Sequence, residues 1–397
     1  MRNILVMLQC RPIKLPSTRH PSMFNLQSLK VGCSCIGVSP DVGSWKLEFR
    51  SLLLFLTVAM LLISTGCRNT PPGKSHTAPA TETWRGVHVP VRDDQQLDVV
   101  EHELSQFAAA GVNVIVIEVN YNFDFKSHPE LRSPSFITKA KAREFTAAAR
   151  QLGIKVIPEF NCLGHQSWAG TIDPLLTKYP QLDETPGKFL DNKGIYCRSW
   201  CPQNPEVYRI VFPLIDEIAD AFQADMFHVG MDEVFIIADK SCPLCHDQDP
   251  AKLFAECVNK LHAHIVDDRK MQMLMWGDRL LNAYTMGDHM YEESMNGTWP
   301  AADMIPKDII ICDWHYDYHT NYPSVPYLLG KGFRVWPSGF RPLEATEAFS
   351  QFSLEQRQHN KNLIGYLCTT WSVALTNGAS VGAWPPITQI LPEWKNK

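Results

Sequence analysis

Short apolar runs and longer amphipathic stretches alternate along most of the chain after residue 83. The short runs are apolar throughout, which is typical of strands buried on both faces, and the longer stretches repeat apolar positions every three to four residues, which is typical of helices. The pattern predicts strands at 84–91, 112–120, 154–161, 226–233, 272–278, 309–317, 333–340 and 363–372. It predicts helices at 95–111, 138–153, 204–222, 250–267, 324–331 and 343–361.

Residue types at the helix ends support these boundaries. Gly111 and Gly153 close the first two helices, and Asn204 followed by Pro205 opens the third. Eight strands that alternate with helices predict an α/β fold, a (β/α)8 TIM barrel that forms one catalytic domain. A doubly wound sheet is the second choice, because no glycine-rich phosphate loop follows the first strand.

The N-terminal part of the chain carries a targeting signal. A basic stretch precedes an apolar run that ends in LISTGC at Cys67, and this run is short for a membrane span. LISTGC resembles a bacterial lipobox, which implies lipidation of Cys67 and an exported protein anchored on the periplasmic or cell-surface side of the membrane. An ordinary signal peptide or a short anchor is the alternative. We therefore assign residues 1–67 to an extension with a lipoprotein signal peptide, 68–83 to a flexible Pro- and Thr-rich linker, and 84–397 to the barrel.

Charge and cysteine content narrow the class of protein. The net charge of −5 and the lack of a basic stripe argue against a nucleic-acid partner. Twelve cysteines in 397 residues do not make a disulfide scaffold. The close pairs Cys197/Cys201 and Cys242/Cys245 fit disulfides, a metal clip or free thiols. A zinc site that uses Cys242, Cys245 and His246 is disfavoured, because a second pair at zinc-finger spacing is missing. We expect no cofactor and no metal.

Polar and aromatic residues collect where the predicted strands end, which is where a barrel of this kind carries its chemistry. Carboxylates among indole rings suit a neutral sugar, although tryptophan is also a common core residue. The candidates are Arg85, His88, Glu118, Asn120, Asn161, His165, His228, Asp232, Glu233, Trp276, Asp278, Asp313, Trp314, Tyr316, Trp336 and Trp371.

The fourth predicted strand ends in two adjacent acids, Asp232 and Glu233. Neighbouring side chains in a strand point to opposite faces, so both reach one pocket only if the chain bends there. Adjacent acids can hardly stand on opposite sides of a glycosidic bond, as an ordinary retaining glycosidase requires. They can approach from one side, which suits substrate-assisted cleavage by a 2-acetamido group. The alternative is that Asp232 caps a turn and Glu233 is solvated.

Several motifs resemble glycoside hydrolase family 20, the β-N-acetylhexosaminidases. HVGMDE at 228–233 is similar to the family's His-x-Gly-x-Asp-Glu signature, and further similarities are RG at Arg85, VIPEFNCLGH at 156–165, MWGD at 275–278 and TTWS at 369–372. CPQNPE, SCPLC and WGDRLL resemble the hexosaminidase D branch. The resemblance implies an exo-acting retaining enzyme that removes terminal N-acetylhexosamine from glycans.

The resemblance also implies roles for individual residues. Asp232 and Glu233 would be catalytic, and Arg85 and His165 would bind or orient the substrate. His228 would hold an acid in position. Further substrate-binding candidates are the acetamido-pocket residues Trp276, Trp314 and Trp371, together with Glu118, Asp278, Tyr316 and Trp336. Glu118 is also interpretable as a barrel acid paired with Arg85.

Four departures from the family pattern concern sugar recognition. Asn161 stands where Asp is usual, Leu163 where Pro is usual and Val373 where many members carry an acid. The seventh segment, VWPSGF, lacks the expected Tyr-x-Asp. The preference between gluco and galacto configurations therefore stays open.

Two other classes of protein stay open at this stage. Metal-assisted hydrolysis on the same fold would use His88, His165 and His228, which all lie near strand ends. A lipid-tethered sugar-binding barrel with weak or lost turnover would explain the departures. The intact acidic pair favours the glycosidase.

Overall fold

The structure is a computed structural model that describes residues 82–287, 291–340, 342–371, 380, 384–395 and 397. The predicted signal peptide with Cys67, most of the predicted linker, and Val373 lie outside these residues. None of the helices in the described part of the chain combines the length and hydropathy that a membrane span needs.

Eight parallel strands close into a barrel, which confirms the predicted (β/α)8 fold. Around the barrel each strand pairs with its neighbours in the chain, and the first strand pairs with the last from Trp84↔Gly365 to His88↔Thr369. The strands are β1 Trp84–Pro90, β2 Val114–Glu118, β3 Lys155–Cys162, β4 Met226–Gly230, β5 Gln272–Trp276, β6 Ile310–Trp314, β7 Arg334–Gly339 and β8 Gly365–Thr369.

Helices follow most of the strands and pack on the outside of the barrel. They are α1 Asp94–Ala109, α2 Lys139–Gln151, α3 Pro174–Lys178, α4 Pro205–Ala221, α5 Pro250–His262, α6 Ala283–Met286, α7 Ser324–Gly330 and α8 Leu343–His359. Shorter 3-10 and π turns lie at Pro129–Leu131, Pro180–Leu182, Leu190–Asn192, Ala263–Asp268, Asp278–Leu280, Trp299–Asp303, Pro386–Ile390 and Leu391–Trp394.

The predicted helix ends are confirmed. The side chain of Asn204 accepts a hydrogen bond from the backbone N–H of Glu206, with Pro205 in the first turn of α4. Gly111 and Gly153 have φ values of 86° and 72°, a conformation that favours glycine. Every strand except β3 is shorter at its C-terminal end than predicted, because several polar residues there already belong to loops.

Two apolar cores share the strands. The larger core lies between the strands and the helices, and the smaller one fills the inside of the barrel. Trp336 belongs to the inner core, and a Cβ atom at Gly86 would overlap its indole. A glycine on β1 therefore makes room for a tryptophan in the barrel interior.

The barrel domain includes a residue that the sequence pattern places in the linker. Thr83 is buried, and its hydroxyl accepts a hydrogen bond of 2.8 Å from Nη2 of Arg357 on α8. The linker predicted for 68–83 therefore extends too far at its C-terminal end.

Candidate active site

A cleft opens at the C-terminal ends of the strands. It consists of two adjoining cavities of about 610 and 620 Å³. Four residues line both cavities, namely His165, Trp168, Asp232 and Trp371. The predicted site residues that line the cleft are Glu118, Asn120, Asn161, His165, Asp232, Glu233, Trp314, Tyr316 and Trp371.

A sharp change of backbone direction lies at the end of β4. Gly230, Met231 and Glu233 all have left-handed backbone angles, with φ values of 65°, 75° and 49°. A non-glycine residue in this region costs about 1 kcal/mol or more, so tertiary contacts must hold it there. The bend removes the strict alternation of a strand, and Asp232 and Glu233 both face the same cavity.

Two contacts fix the backbone of Glu233. Its N–H donates to Oδ2 of Asp278 at 2.9 Å, and its carbonyl accepts from the thiol of Cys197 at 3.3 Å. Asp278 is buried, and it also accepts from Nε of Arg279 at 2.6 Å. Burial raises the pKa of Asp278 to about 6, although Arg279 opposes the shift. Asp278 is not among the described residues that line the cleft, so its predicted contact with substrate is replaced by a contact with the Glu233 backbone.

One histidine contacts both acids. Nε2 of His165 lies 3.2 Å from Oδ2 of Asp232 and 3.1 Å from Oε2 of Glu233. Burial lowers the pKa of His165, but the charge of Asp232 and the hydrogen bonds to both acids outweigh burial, so the pKa is well above its ordinary value of 6.5. The two acids therefore favour the protonated form of the ring. Because both carboxylates contact one nitrogen, they lie on one side of the pocket.

Asp232 has one carboxylate oxygen to spare. Oδ2 contacts His165, whereas Oδ1 is buried without a hydrogen-bond partner in the described part of the chain. Leaving a buried acceptor unsatisfied costs about 1–3 kcal/mol. The atom can accept an N–H group from a molecule bound in the cleft.

Aromatic rings form one wall of the 610 Å³ cavity. Trp314 and Tyr316 pack with ring centroids 4.8 Å apart, and the indole N–H of Trp371 donates to the Tyr316 hydroxyl at 2.8 Å. The hydrogen bond holds the Trp371 ring in one orientation. Such a wall offers flat apolar surface to a small group on a sugar.

Trp276, Trp336 and His228 lie below the cleft, inside the barrel, and are not among the described residues that line it. The indole N–H of Trp276 donates to Oε1 of Glu159 at 2.9 Å, and Nδ1 of His228 lies 3.2 Å from the same oxygen. Trp336 packs edge-on against Trp84 at 5.0 Å. The prediction that Trp276 and Trp336 contact substrate is therefore corrected: both support the floor. His228 holds a buried acid, Glu159, and does not line the cleft as a substrate-binding residue would.

Arg85 lies at the opposite end of the barrel. It is the second residue of β1, and its guanidinium donates to the carbonyls of Thr83 and Gly111. Gly86 and His88 face the barrel interior. They lie one and three residues after Arg85, and successive residues of a strand point to opposite faces, so Arg85 faces outward. The prediction that Arg85 binds substrate is wrong for this structure.

Glu118 lines the 620 Å³ cavity. Its Oε1 accepts from the amides of Asn120 at 2.7 Å and Asn161 at 3.1 Å, and its Oε2 lies 3.6 Å from Nε2 of His88. Burial, and then the charge of Glu159, raise the pKa of Glu118 to about 7. Glu118 is thus held by amides and a histidine, and the predicted pairing with Arg85 is absent among these described contacts.

The sequence pattern missed two kinds of site residue. Glu159 is fully buried in β3 and binds both His88, at 2.9 Å, and His228. A charged residue in the middle of a buried strand was the available signal. Loop residues that line the cleft were missed because they follow no strand period; these are Trp168, Tyr196, Tyr291 and Glu292. Asp317, which also lines the cleft, is the last residue of a predicted strand and was not singled out.

The three histidines considered for a metal site do not converge. His88 and His228 contact Glu159 inside the barrel, whereas His165 contacts the two acids in the cleft. Among the described residues, the groups with metal-ligand geometry do not contain these three histidines together. This geometry argues against a site built from all three histidines, whereas His165 with Asp232 and Glu233 does have the spacing of metal ligands.

A closed (β/α)8 barrel with two acids and an aromatic wall at its C-terminal end defines a barrel of the glycoside hydrolase class. Residues 83–385 match the family model described as glycosyl hydrolase family 20, catalytic domain. The chain belongs to this family, which confirms the resemblance in its motifs.

Named relatives agree with the family. A β-hexosaminidase from Porphyromonas gingivalis W83 is 33% identical over 257 residues, which cover 60% of this chain and 30% of that protein. A lacto-N-biosidase from Bifidobacterium bifidum is 24% identical over 228 residues, which cover 54% of this chain and 19% of that protein. The crystal structure of β-N-acetylhexosaminidase from Bacteroides fragilis NCTC 9343 aligns with a TM-score of 0.57 at 15% identity, covering 79% of this chain and 66% of that one. The chain spans between 19% and 30% of the length of the first relatives it matches.

Proposed function

We propose that this chain is a β-N-acetylhexosaminidase that removes terminal N-acetylhexosamine from glycans with retention of configuration. The observation that carries the proposal is the free oxygen of Asp232. Oδ1 is a buried acceptor in the cleft, next to Glu233 and the aromatic wall. An acetamido N–H satisfies this acceptor, and its methyl group suits the rings of Trp314 and Trp371.

In the first step the acetamido oxygen attacks the anomeric carbon while the glycosidic bond breaks. Glu233 gives its proton to the leaving oxygen, as a general acid. Asp232 accepts the amide N–H and stabilises the positive charge that develops on the cyclic oxazolinium ion. Both acids act from one side, which agrees with their shared contact to His165.

In the second step water attacks the anomeric carbon and the oxazolinium ring opens. Glu233, now a carboxylate, takes the proton from this water. The acetamido oxygen has attacked one face and water arrives on the other, so the first product is the β-anomer. His165, which contacts both acids, keeps their spacing constant through the two steps.

Two assays test the proposal with the full chain. Aryl β-N-acetylglucosaminide or galactosaminide should be cleaved, and the matching 2-hydroxy glycosides should not. Comparable rates on both kinds of substrate would contradict acetamido assistance. On an oligosaccharide, the released product should be a monosaccharide, and release of a disaccharide would contradict removal of single terminal residues.

A sugar-binding barrel without turnover is the second candidate, since the acid usual at position 373 is replaced by Val373. The wild type should then hydrolyse no more substrate than Glu233→Gln, at the level of the uncatalysed background. Calorimetric binding of N-acetylhexosamine by both proteins would complete the evidence for this candidate. Hydrolysis by the wild type alone would exclude it.

We further propose that the chain is exported and attached to the bacterial membrane through a lipid on Cys67. The support is the LISTGC segment after an apolar run. Mass spectrometry of membrane-fraction protein should find an acylated Cys67 at the N-terminus. An unmodified chain that still carries residues 1–66 would contradict this proposal.

A further inference from the structure

A second group of chemically reactive side chains lies outside the cleft. Glu184, Cys201, Cys242 and Cys245 are all buried, and each offers one ligand atom within 4.8 Å of the others. The sulfur of Cys201 lies 3.3 Å from that of Cys245 and 3.4 Å from that of Cys242. The glycosidase mechanism uses none of these four residues.

Backbone hydrogen bonds arrange the group. The N–H of Cys245 donates to the sulfur of Cys242 at 3.3 Å, within the CPLC turn. The N–H of Cys201 donates to the carbonyl of Leu182 at 2.7 Å, which places Cys201 beside the segment that carries Glu184. The N–H of Cys245 therefore lies where it can donate to a metal-bound sulfur of Cys242.

Glu184 contributes an oxygen without another role. Its Oε1 accepts the backbone N–H of Asp239 at 3.1 Å. Its Oε2 is buried and has no N–H or O–H partner within the described residues, and the thiols of Cys242 and Cys245 are the groups that interact with this carboxylate. A cation would satisfy a buried carboxylate more fully than weak S–H donors do.

We propose that Glu184, Cys201, Cys242 and Cys245 bind one zinc ion. Four donors match the tetrahedral coordination of structural zinc, and thiolates select zinc over the harder divalent cations. Ligands at a Zn–S distance of about 2.3 Å stand roughly 3.8 Å apart, which is near the observed spacing of the sulfurs.

The ligand set differs from the one considered from the sequence. His246 is exposed, and its Nδ1 lies 2.7 Å from the carbonyl of Cys242, so it turns away from the sulfurs. The close pair Cys197/Cys201 is divided, because Cys197 contacts the carbonyl of Glu233 and Cys201 joins the CPLC turn. The second cysteine pair of a zinc finger, which the sequence lacks, is thus replaced by Cys201 and Glu184.

The ion would tie together two segments that form the active-site cleft. Cys201 follows Tyr196 and Cys197, which lie beside Glu233, and Cys242 lies in the loop that begins at Glu233. A metal bridge between these segments restricts the unfolded chain and holds the wall of the cleft. The site is therefore structural, and it supports the reaction without touching substrate.

Metal analysis of the full chain tests the proposal. Protein from zinc-supplemented medium should hold one zinc per chain by elemental mass spectrometry, and prolonged chelation should remove the zinc and lower Tm. Cys242→Ser should lose the zinc. The matched control Cys257→Ser changes another buried thiol, on α5, and should keep it. Glu184→Gln keeps an acceptor for Asp239 but lacks the charge, and should bind zinc more weakly in a chelator competition.

Cobalt substitution of the wild type gives a reading that does not depend on the folding of a variant. The cobalt-loaded chain should show the absorption of tetrahedral, thiolate-bound cobalt(II). A zinc-exposed chain that holds no metal and has three titratable thiols at these positions would overturn the proposal. A disulfide between Cys201 and Cys245, found by peptide mapping under non-reducing conditions in freshly purified protein, would overturn it as well.

Discussion

Arg85 and Thr83, at the N-terminal end of the barrel, differ from Asp232 and Glu233, at the C-terminal end, in how their polar side chains are bonded. At the end where the strands begin, Arg85 donates to two backbone carbonyls, and the Thr83 hydroxyl pairs with Arg357. At the end where the strands finish, Asp232 and Glu233 share one imidazole, and an oxygen of Asp232 has no partner in the described residues.

We therefore expect Arg85 and Thr83 to contribute to stability, and Asp232 and Glu233 to contribute to turnover. Satisfied hydrogen bonds at the N-terminal end tie α1 and α8 to the barrel. The C-terminal end carries left-handed residues at Met231, Glu233 and His165, and an unsatisfied acceptor, and each of these lowers stability. At the end of β4 these costs lie beside the acidic pair, where a ligand can complete the contacts.

Apart from the two acids themselves, replacing His165 should have the largest effect on activity. His165→Gln removes the ring nitrogen that contacts both acids, and loss of one such donor lowers kcat by about 10²–10³. Rates are compared below the unfolding transition, because the side chain is largely buried. His102→Gln, at an exposed position on α1, is the control and should keep full kcat. Similar kcat values for both variants would contradict the proposal that His165 holds the two acids in position.

Glu118, at the C-terminal end of the barrel, should make the free energy of unfolding fall as pH rises. Its pKa is raised from 4.5 to about 7 by burial and by Glu159, so the folded chain holds this proton more tightly than the unfolded chain. The contribution is present below about pH 4.5 and is lost as pH rises through 7, a change of up to roughly 3 kcal/mol.

Glu118→Gln should therefore reduce the fall in unfolding free energy between pH 4.5 and pH 8, measured by urea titration. Glu144→Gln, at an exposed position on α2, should leave that fall unchanged. If Glu118→Gln keeps the full pH dependence, this acid does not titrate as its burial implies.

Arg85 should affect stability and not turnover. Arg85→Gln loses hydrogen bonds to Gly111 and Thr83, which should lower the free energy of unfolding by about 2 kcal/mol. kcat/KM below the unfolding transition should stay within about twofold, because the residue is at the far end of the barrel. Arg143→Gln, at an exposed position, should change neither quantity. A selective rise in KM for Arg85→Gln would restore the substrate contact inferred from the motif.

Trp371 and Trp336 offer a smaller contrast between cleft and barrel interior. Trp371→Phe loses the N–H bond to Tyr316 and part of the cleft wall, and should raise KM about tenfold, equivalent to about 1.4 kcal/mol. Trp336→Phe should lower Tm and leave KM unchanged, because that ring is fully buried among barrel side chains. Steady-state kinetics and thermal melts on both variants check the pair.

The sequence allowed the barrel, its strand order and the acidic pair to be predicted, because buried strands and helix ends leave strong local patterns. Arg85 and Trp336 were misplaced because a strand segment does not show how deep in the barrel a residue lies. The left-handed turn at Met231 and Glu233 depends on contacts with Asp278 and Cys197, which are distant in sequence. The four proposed zinc ligands are also separated in sequence, so their proximity could not be predicted.

The most direct test of the central claim compares Glu233→Gln and Asp232→Asn on aryl 2-acetamido β-glycosides whose leaving groups differ in basicity. Glu233→Gln should lose about 10²–10⁴ in rate with a poor leaving group and much less in the first step with one that needs no proton. Asp232→Asn should lose a large and similar factor with every leaving group, because alignment of the acetamide and stabilisation of the oxazolinium ion are both removed. Identical dependence of the two variants on the leaving group would contradict the separate roles of Asp232 and Glu233.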